Sequence, residues 1–368
     1  MNTVRFAVIG CGRIAGNHLQ ALREIPRAEL VAICDLNAER AIPYSARFRV
    51  PWYASYHAML TREHVDAVCI LTPSGMHPAH AIDVMRRYRK HVVIEKPMAM
   101  RLTDLDALLK VADEAGVRIF PVYQNRYNRP VRAVREALLD GRLGRAVLGT
   151  VRLRWCRPQR YYDRDPWRGT WSHDGGALTN QGIHYLDLLL YLMGDVEEVY
   201  TIAATQLVKV EVEDTAVAAL RFASGALGSI EVTTAARPDD FEASISVLAE
   251  QGAAIVAGLT ANRLFTWTLD PAACEGLSED VPNAYGNGHR PLLADVVAEL
   301  LDGTPHPISF GEGARAIRLL NALYRSAEDG VLVRTKDRPA SRRLGRQDPA
   351  IDGLYLTKPD EPQRGLNA

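Results

Sequence analysis

The sequence lacks a long apolar run and has no excess charge of either sign. Its best apolar stretch, Leu186–Met193, is interrupted by Asp187 and falls short of the roughly 20 apolar residues that cross a bilayer. The N-terminal apolar run is too short for a secretory signal. Lysine plus arginine number 44 and aspartate plus glutamate number 44, so the formal net charge is zero. This balance gives no general attraction to nucleic acid or acidic membranes, and we expect neither as a partner.

Cysteine is also scarce, with 5 residues in 368 and no tight spacing between them. Cys11, Cys34 and Cys69 lie in or beside apolar runs that read as strands. This pattern is typical of small buried side chains in a reducing compartment, and it argues against a disulfide framework or a cysteine metal site. We therefore expect a cytoplasmic protein. The sequence contains no internal repeat and no low-complexity linker.

The length predicts two domains, because 368 residues exceed the usual size of one hydrophobic core. Residues 1–125 alternate short apolar strands with helical patterns, which predicts parallel strands joined by crossover helices. The strand-like runs are Val4–Ile9, Leu30–Cys34, Val65–Leu71, His91–Ile94 and Val117–Val122. The helical patterns are Ile14–Ile25, Pro78–Arg87 and Thr103–Ala115, the last with Thr103 as its cap and Gly116 as its end. We predict a doubly wound α/β domain here.

Residues 126–335 have longer strands and hairpin turns, which predicts an α+β domain with a large open mixed or antiparallel sheet. Its strand-like segments are Val147–Trp155, Val196–Ala203, Thr215–Phe222, Ala226–Ala235, Glu242–Leu248 and Ala253–Ala257. The segment Gly313–Ala327 has one apolar face and predicts a helix packed on that domain. The rest, residues 336–368, is polar and basic, and we expect a solvated tail.

A glycine loop follows the first strand and is the clearest motif in the sequence. Gly10, Gly12 and Ala15 fit the G-x-G-x-x-A pattern, in which a tight turn brings backbone amides and a helix N-terminus to a pyrophosphate. Asp35 lies at the end of the next strand, where a carboxylate accepts a hydrogen bond from a ribose 2′-hydroxyl. Such a carboxylate repels a 2′-phosphate, so we predict NAD in preference to NADP. The neighbouring Arg40 softens that preference.

Three separated motifs resemble the Gfo/Idh/MocA oxidoreductase family over residues 1–330. The first is the glycine loop. The second is a pair of short segments that each follow a predicted strand, Thr72–His77 and Glu95–Pro97. The third is the glycine-rich segment Gly175–His184. The stretches 154–163, 166–170, 211–215 and 285–289 are similar to the UDP-N-acetyl-2-amino-2-deoxyglucuronate 3-dehydrogenases of bacterial lipopolysaccharide biosynthesis within that family. The resemblance implies a Rossmann domain and NAD-dependent oxidation of a sugar C3 hydroxyl. It also implies a homo-oligomer, a dimer or tetramer, formed on the sheet beyond residue 195.

The candidate catalytic residues are Lys96, His184 and Asn180. Lys96 ends a buried strand at the edge where such sheets bind ligands, and it can hydrogen-bond a reacting hydroxyl. His184 has an ordinary pKa suited to accepting a hydroxyl proton, and it forms a polar stripe with Asn180 and Asp187 on an otherwise apolar helix. Many family members have aspartate where this chain has Asn180, and asparagine is no base. We therefore expect Lys96 and His184 to share the acid–base work, and either one is a candidate base.

The resemblance places further residues in the two binding sites. The candidate cofactor-binding residues are Gly10, Gly12, Arg13, Ile14, Asp35, Thr72, Pro73, His77, Glu95, Lys96 and Gln124. The candidate substrate-binding residues are Lys96, Arg157, Tyr161, Tyr162, Arg168, Asn180 and His184. Arginine forks suit phosphate oxygens, and aromatic rings suit a uridine or a sugar face. We predict no metal site, because hydride transfer to NAD needs none.

Two other functions fit part of these observations. A dehydrogenase of a free sugar or polyol, inositol-like, has the same cofactor motifs but little use for the arginine–tyrosine segment 154–168. A catalytically silent NAD-binding regulator has the same fold but no use for both Lys96 and His184. The sequence does not distinguish retention of NADH from its release, nor does it identify the group at C6 of a sugar.

Overall fold

A parallel six-stranded sheet forms the N-terminal part of the computed structural model, which describes residues 3–357. Its strands are β1 (Val4–Ile9), β2 (Ala28–Cys34), β3 (Trp52–Tyr53), β4 (Ala67–Ile70), β5 (His91–Ile94) and β6 (Ile119–Pro121). They lie in the order β3-β2-β1-β4-β5-β6, and every pairing is parallel. The order reverses between β1 and β4, which is where doubly wound folds bind dinucleotides. The predicted fold class of this part is confirmed.

The helices of this part cover both faces of the sheet. They are α1 (Ala15–Glu24), α2 (Ala38–Phe48), α3 (Tyr56–Arg62), α4 (His77–Tyr88) and α5 (Leu102–Ala115). The prediction that Thr103 caps the last of these was wrong, because α5 begins one residue earlier and Arg101 stands at its N-cap without a side-chain hydrogen bond. Gly116 ends that helix as predicted, with a φ of 67°.

A second, eight-stranded sheet is built from later residues. Its strands are β7 (Ala146–Arg154), β8 (Val196–Ala204), β9 (Thr215–Phe222), β10 (Leu227–Thr233), β11 (Glu242–Ala249), β12 (Gly252–Ala257), β13 (Arg263–Trp267) and β14 (Val333–Arg334). Their order is β13-β12-β11-β7-β10-β9-β8-β14. The β7–β10 pair is parallel and the other pairs are antiparallel, so the sheet is mixed.

The remaining helices belong to the later part of the chain. They are α6 (Arg129–Leu139), α7 (Gln159–Tyr162), α8 (Ile183–Met193), α9 (Cys274–Leu277), α10 (His289–Asp302), α11 (Phe310–Asp329) and α12 (Pro349–Asp352). Helix α8 lies against β7 and β11, and α11 lies against β8 and also touches α5. The apolar side chains of α8 are buried on nearly all sides, as its sequence predicts.

The expected solvated tail was wrong for the described residues 336–357. Leu344 is buried, and the Gly345 amide donates to the Trp171 carbonyl at 2.8 Å. Arg338 forms an ion pair of 3.0 Å with Asp106 of the Rossmann part. Backbone groups and a few apolar side chains hold this polar segment in place, and such contacts leave no periodic signal in the sequence. The rest of the predicted tail, residues 358–368, lies outside the described residues.

Within residues 3–357, no helix is both long enough and apolar enough to cross a membrane.

Candidate active site

A cleft of about 1320 Å³ runs along the carboxyl edge of the parallel sheet and is lined by residues of both parts of the chain. Every candidate cofactor-binding residue lines it. So do all the candidate substrate-binding and catalytic residues except Tyr162. The cleft therefore brings together side chains that are up to about 170 positions apart in the sequence.

The glycine loop forms one end of the cleft. Gly10 has a φ of 101°, and a side chain there would come within 2.6 Å of the Leu71 carbonyl oxygen. A Cβ at Gly12 meets nothing within 4 Å, so this position leaves the cleft open to a close ligand. The Asp35 carboxylate accepts from the backbone amides of Cys11 at 2.7 Å and Asn37 at 2.8 Å. The loop and the acid thus form one hydrogen-bonded unit, which fits a dinucleotide.

Arg40 takes part in a contact that the sequence does not predict. Its guanidinium forms an ion pair of 2.8 Å with Asp165, which belongs to the loop after α7. Because Asp165 already engages it, Arg40 is less available to a 2′-phosphate than its position near Asp35 suggests.

Two histidines hold the loop after β4 through hydrogen bonds. The two ring nitrogens of His77 lie 2.8 Å from the carbonyl oxygens of Pro97 and Thr72. The Thr72 hydroxyl contacts Nδ1 of His80 at 3.0 Å. Gln124 lines the same region, and its buried side-chain oxygen has no hydrogen-bond partner among the described residues. An unpaired buried amide oxygen is available to a ligand amide.

Lys96 is half-buried and lines the cleft. Its Nζ donates to the Asn180 carbonyl oxygen at 2.7 Å. Burial lowers the pKa of Lys96, while the negative charges of Glu95 and Asp174 oppose that effect. The peptide bond between Lys96 and Pro97 is cis.

Glu95, next to Lys96, is a buried carboxylate between two histidines. His18 Nε2 donates to Glu95 Oε1 at 2.8 Å, and His289 Nε2 lies 3.5 Å from the same oxygen. Burial favours the neutral carboxyl, but the two histidines hold the pKa of Glu95 well below its usual value. The ligand atoms of these three residues lie within 4.8 Å of one another, a spacing that a metal ion also accepts. The 2.8 Å contact between His18 and Glu95 has the length of an ordinary hydrogen bond. That the chain has no metal site stays a prediction.

His184 stands on the first turn of α8 and lines the cleft. Its buried Nδ1 has no hydrogen-bond partner among the described residues. Burial and the positive charge of Lys96 hold the pKa of His184 well below its ordinary value. The imidazole is therefore neutral near pH 7 and able to accept a proton.

The segment before α8 is a π-helical turn, Leu178–Gly182, which the sequence does not predict. Such turns often occur at functional sites. Of the predicted polar stripe, Asn180 and His184 line the cleft, whereas the third member, Asp187, faces a partner outside the lining. Both of its oxygens bond the guanidinium of buried Arg126, at 2.6 and 2.8 Å.

Asn180 has a carboxylate behind it. Its side-chain amide donates to Asp174, which also accepts from the Gly169 amide at 2.7 Å. Burial raises the pKa of Asp174 to about 6. The acid that the family often has at the position of Asn180 is thus replaced by an amide with a buried acid as its hydrogen-bond partner. Sequence reasoning missed this role, since no spacing rule connects the two residues.

Arg168 and Tyr161 form the centre of the predicted substrate end. The guanidinium donates to the Tyr161 hydroxyl at 2.7 Å and lies 4.5 Å from the centres of the Tyr161 and Trp167 rings. Arg157 bonds Asp240 at 2.9 Å and lies over the Trp155 ring. These side chains form a pre-ordered cationic and aromatic wall.

The assignment of Tyr162 to the substrate site was wrong. Its ring is buried beneath the wall, and its hydroxyl bonds Thr234 at 3.1 Å. The Tyr161 and Tyr162 rings lie edge to face with centres 5.1 Å apart, and of the two only Tyr161 lines the cleft.

Several cleft residues had no role in the sequence analysis. They are Tyr44, Tyr56, Arg164, Trp167, Asp240, Leu259, Thr260, Tyr285, Leu354, Tyr355 and Thr357. Tyr285 is part of the recognised stretch 285–289, which was the available signal. The last three come from the segment expected in solvent.

Comparison with known proteins identifies the family. Residues 4–123 match the NAD-binding Rossmann domain of the Gfo/Idh/MocA oxidoreductases, and residues 131–255 match that family's C-terminal domain. The chain belongs to the Gfo/Idh/MocA family. The predicted resemblance and the predicted NAD cofactor are thereby confirmed.

Several solved structures resemble the chain over most of its length, and two of them are WlbA dehydrogenases. The WlbA dehydrogenase from Bordetella pertussis, in complex with NADH and UDP-GlcNAcA, is 42% identical, with a TM-score of 0.86 and coverage of 90% of this chain and 98% of that one. The WlbA dehydrogenase from Chromobacterium violaceum, with the same two ligands, is 39% identical, with a TM-score of 0.83 and coverage of 91% and 96%.

The myo-inositol 2-dehydrogenase of Thermotoga maritima is 30% identical over 237 residues, covering 62% of this chain and 68% of that protein. The chain is an NAD-dependent sugar dehydrogenase of this family.

Proposed function

We propose that this Gfo/Idh/MocA dehydrogenase oxidises the C3 hydroxyl of a UDP-N-acetyl-hexosaminuronate to the 3-keto sugar, in bacterial surface-polysaccharide biosynthesis. The observation that carries the proposal is the set of side chains that one cleft brings together. The glycine loop and Asp35, the pair Lys96 and His184, and the wall of Arg168 and Tyr161 all line it. Binding a dinucleotide beside a nucleotide sugar uses all three groups.

The chain's own residues handle the hydroxyl proton. The bound cofactor supplies the hydride acceptor, so the carbon loses a hydride and the oxygen loses a proton. Lys96 Nζ hydrogen-bonds the reacting oxygen and lowers the pKa of that hydroxyl. Neutral His184 accepts the proton, which leaves a ketone. The amide of Asn180, held by Asp174, orients a neighbouring sugar hydroxyl.

The diphosphate and uridine face the cationic and aromatic wall. Arg157 and Arg168 supply guanidinium forks, and Trp155, Tyr161 and Trp167 supply ring faces beside them. Arginine recognises phosphate oxygens with paired hydrogen bonds, and rings stack on a base or a sugar. Two relatives that were solved with UDP-GlcNAcA support the choice of a UDP-sugar.

A free polyol such as myo-inositol is the second candidate substrate, favoured by the similarity to an inositol dehydrogenase over 237 residues. A molecule of that size fills only the region of Lys96 and His184. It leaves the arginine–tyrosine wall without a ligand.

Calorimetry of the NAD-saturated protein with UDP-N-acetylglucosaminuronate, UDP-N-acetylglucosamine and myo-inositol, followed by NADH absorbance, tests the proposal. We expect binding and turnover with the uronate. In Arg157→Ala the KM for the UDP-sugar should rise about tenfold, because a hydrogen bond to a charged group is lost. Arg160→Ala is the matched control, since Arg160 is exposed and lies outside the cleft. Turnover of inositol alone would overturn the sugar-nucleotide proposal, and NAD binding without turnover of any substrate would favour a regulator.

We also propose a second copy of this chain as the partner of the large sheet. Its outer face exposes apolar side chains on three successive strands, among them Ile202 at 65%, Val217 at 51% and Leu227 at 50%. Such a face is typical of a protein–protein interface.

A further inference from the structure

The segment 346–357, which we call the C-terminal strap, crosses the cleft from the C-terminal part of the chain to the Rossmann part. Arg346 pairs with Glu211 at 2.8 Å on one side. Leu354, Tyr355 and Thr357 line the cleft itself. The strap therefore belongs to the walls of the cofactor cleft, although it lies more than 200 residues after the Rossmann domain.

Two buried imidazoles of the Rossmann part hold the end of the strap. Nε2 of His80 lies 3.1 Å from the Tyr355 carbonyl oxygen, and Nε2 of His57 lies 3.1 Å from the Thr357 carbonyl oxygen. In each ring the other nitrogen faces a hydroxyl, that of Thr72 at 3.0 Å or that of Tyr88 at 2.7 Å. Each hydroxyl can donate to Nδ1, which leaves a neutral ring with its proton on Nε2 for the strap carbonyl.

A third imidazole, from the later part of the chain, also holds the strap. His173 Nε2 lies 3.0 Å from a carboxylate oxygen of Asp352, and the His173 side chain is buried. His57 and His80 belong to helices of the Rossmann part, whereas His173 lies beyond residue 126. Three separate imidazoles thus position one short segment, and the segment bridges the two walls of the cleft.

Tyr355 is the strap side chain that faces the cofactor's expected position. Its ring centre lies 6.4 Å from that of His173. Tyr355 shares the lining of the cleft with Asp35 and with the Arg40–Asp165 ion pair of 2.8 Å. Asp35 marks the adenosine ribose in this fold. The hydroxyl of Thr72, a candidate cofactor contact, is joined to the Tyr355 carbonyl through His80.

We propose that the C-terminal strap is part of the NAD site and that Tyr355 is a cofactor-binding residue, covering the adenosine half of the bound dinucleotide. The cleft has about 1320 Å³ with the strap in place, against roughly 300–1,000 Å³ for ordinary ligand pockets. Room for a dinucleotide therefore remains in the cleft with the strap in place. A strap that covers the cofactor in this way slows its release.

Amide hydrogen exchange of the full-length protein tests the coverage directly. We expect NAD alone, without sugar, to slow exchange in the peptide that contains residues 349–357 as well as in the glycine loop. Protection of the glycine loop without protection of the strap would overturn the proposal. Faster exchange in the strap on addition of NAD would also overturn it, since that result means that the strap occupies the cofactor's place and is displaced.

Point variants of the full chain test the role of Tyr355. We expect Tyr355→Ala to raise the Kd for NAD and the NADH dissociation rate about tenfold, as for an aromatic contact at the centre of an interface. Tyr355→Phe, which keeps the ring, should restore most of the affinity. Leu356→Ala is the matched control. Leu356 is the next residue in the strap, but its own side chain is 48% exposed and does not line the cleft. Equal Kd values for NAD in Tyr355→Ala, Leu356→Ala and the wild type would overturn the assignment.

Discussion

Lys96 and His184 are two basic groups in one buried cleft, and each limits the charge of the other. Burial lowers the pKa of both side chains. Lys96 can remain charged because Glu95 and Asp174 compensate it, whereas its charge lowers the pKa of His184 further. This arrangement favours a charged lysine that polarises the hydroxyl and a neutral histidine that takes the proton. The two residues are therefore not interchangeable.

His184→Ala tests that division of roles. We expect kcat to fall about 10²- to 10⁴-fold, the usual contribution of a general base, while the Kd for NAD stays unchanged. Because the pKa of His184 is held well below 6.5, the wild-type kcat/KM should lose activity on the acidic side only below that pH. Steady-state rates over a pH series measure both effects.

The companion variant Lys96→Met removes the charge that lowers the pKa of His184. Its residual kcat/KM should therefore begin to fall at a higher pH than in the wild type. An acidic limb that persists unchanged in His184→Ala would contradict the assignment of the base to His184.

For single residues, the sequence predicted which residues belong to the site better than it predicted where their side chains point. Lys96, Asn180 and His184 could be found because motifs surround them, and they do meet in the cleft. Tyr162 was misplaced because the direction of a side chain depends on partners elsewhere in the chain. Thr234 is that partner, and nothing near it in the sequence points to the pairing.

The turn that leads into α8 rests on a buried carboxylate. Glu213 Oε1 accepts from the Leu178 amide at 3.0 Å and the Tyr324 hydroxyl at 2.9 Å, while Oε2 is buried and finds no partner within residues 3–357. Burial raises the pKa of Glu213 to about 7. A Cβ on Gly176 would overlap this carboxylate, so glycine is required where the turn passes over it. The turn that carries Asn180 is therefore held by a side chain whose charge depends on pH.

Glu213→Gln replaces the titratable carboxylate that holds this turn with an amide that does not titrate. Wild-type Glu213 binds its proton more tightly in the folded state, so the free energy of unfolding falls as pH rises from about 4.5 to about 7. The shift corresponds to at most about 3 kcal/mol. The stability of the variant relative to the wild type should therefore increase with pH across this window. Melting temperatures of both proteins at pH 5 and pH 8 measure the trend.

Glu197→Gln removes an exposed carboxylate and is the control for the loss of one negative charge. A variant-minus-wild-type difference that stays constant between the two pH values would show that Glu213 keeps an ordinary pKa.

For the whole molecule, the parallel sheet was predictable and the arrangement of the second sheet was not. Strands of the first sheet are buried runs separated by helices, and local periodicity reveals them. In the second sheet, β7 pairs with β10 and β11, whose residues lie about 80 to 100 positions later. Hydrophobic alternation identifies such strands but not their neighbours. The strap was missed for the same reason, since backbone carbonyls and histidines from three distant segments hold it.

The two walls of the cleft meet closely at one glycine. The Gly75 amide donates to the His173 carbonyl oxygen at 3.0 Å, and a Cβ on Gly75 would lie 2.7 Å from His173 Cα. Gly75→Ala therefore forces backbone apart where the loop after β4 touches the segment that carries the strap's His173 anchor. We expect kcat/KM for the sugar to fall about 10²-fold, because a displacement of about 1 Å at a reacting centre has that effect. Gly276→Ala is the control, since its Cβ meets nothing within 4 Å, and full activity of Gly75→Ala beside it would show that the contact tolerates separation.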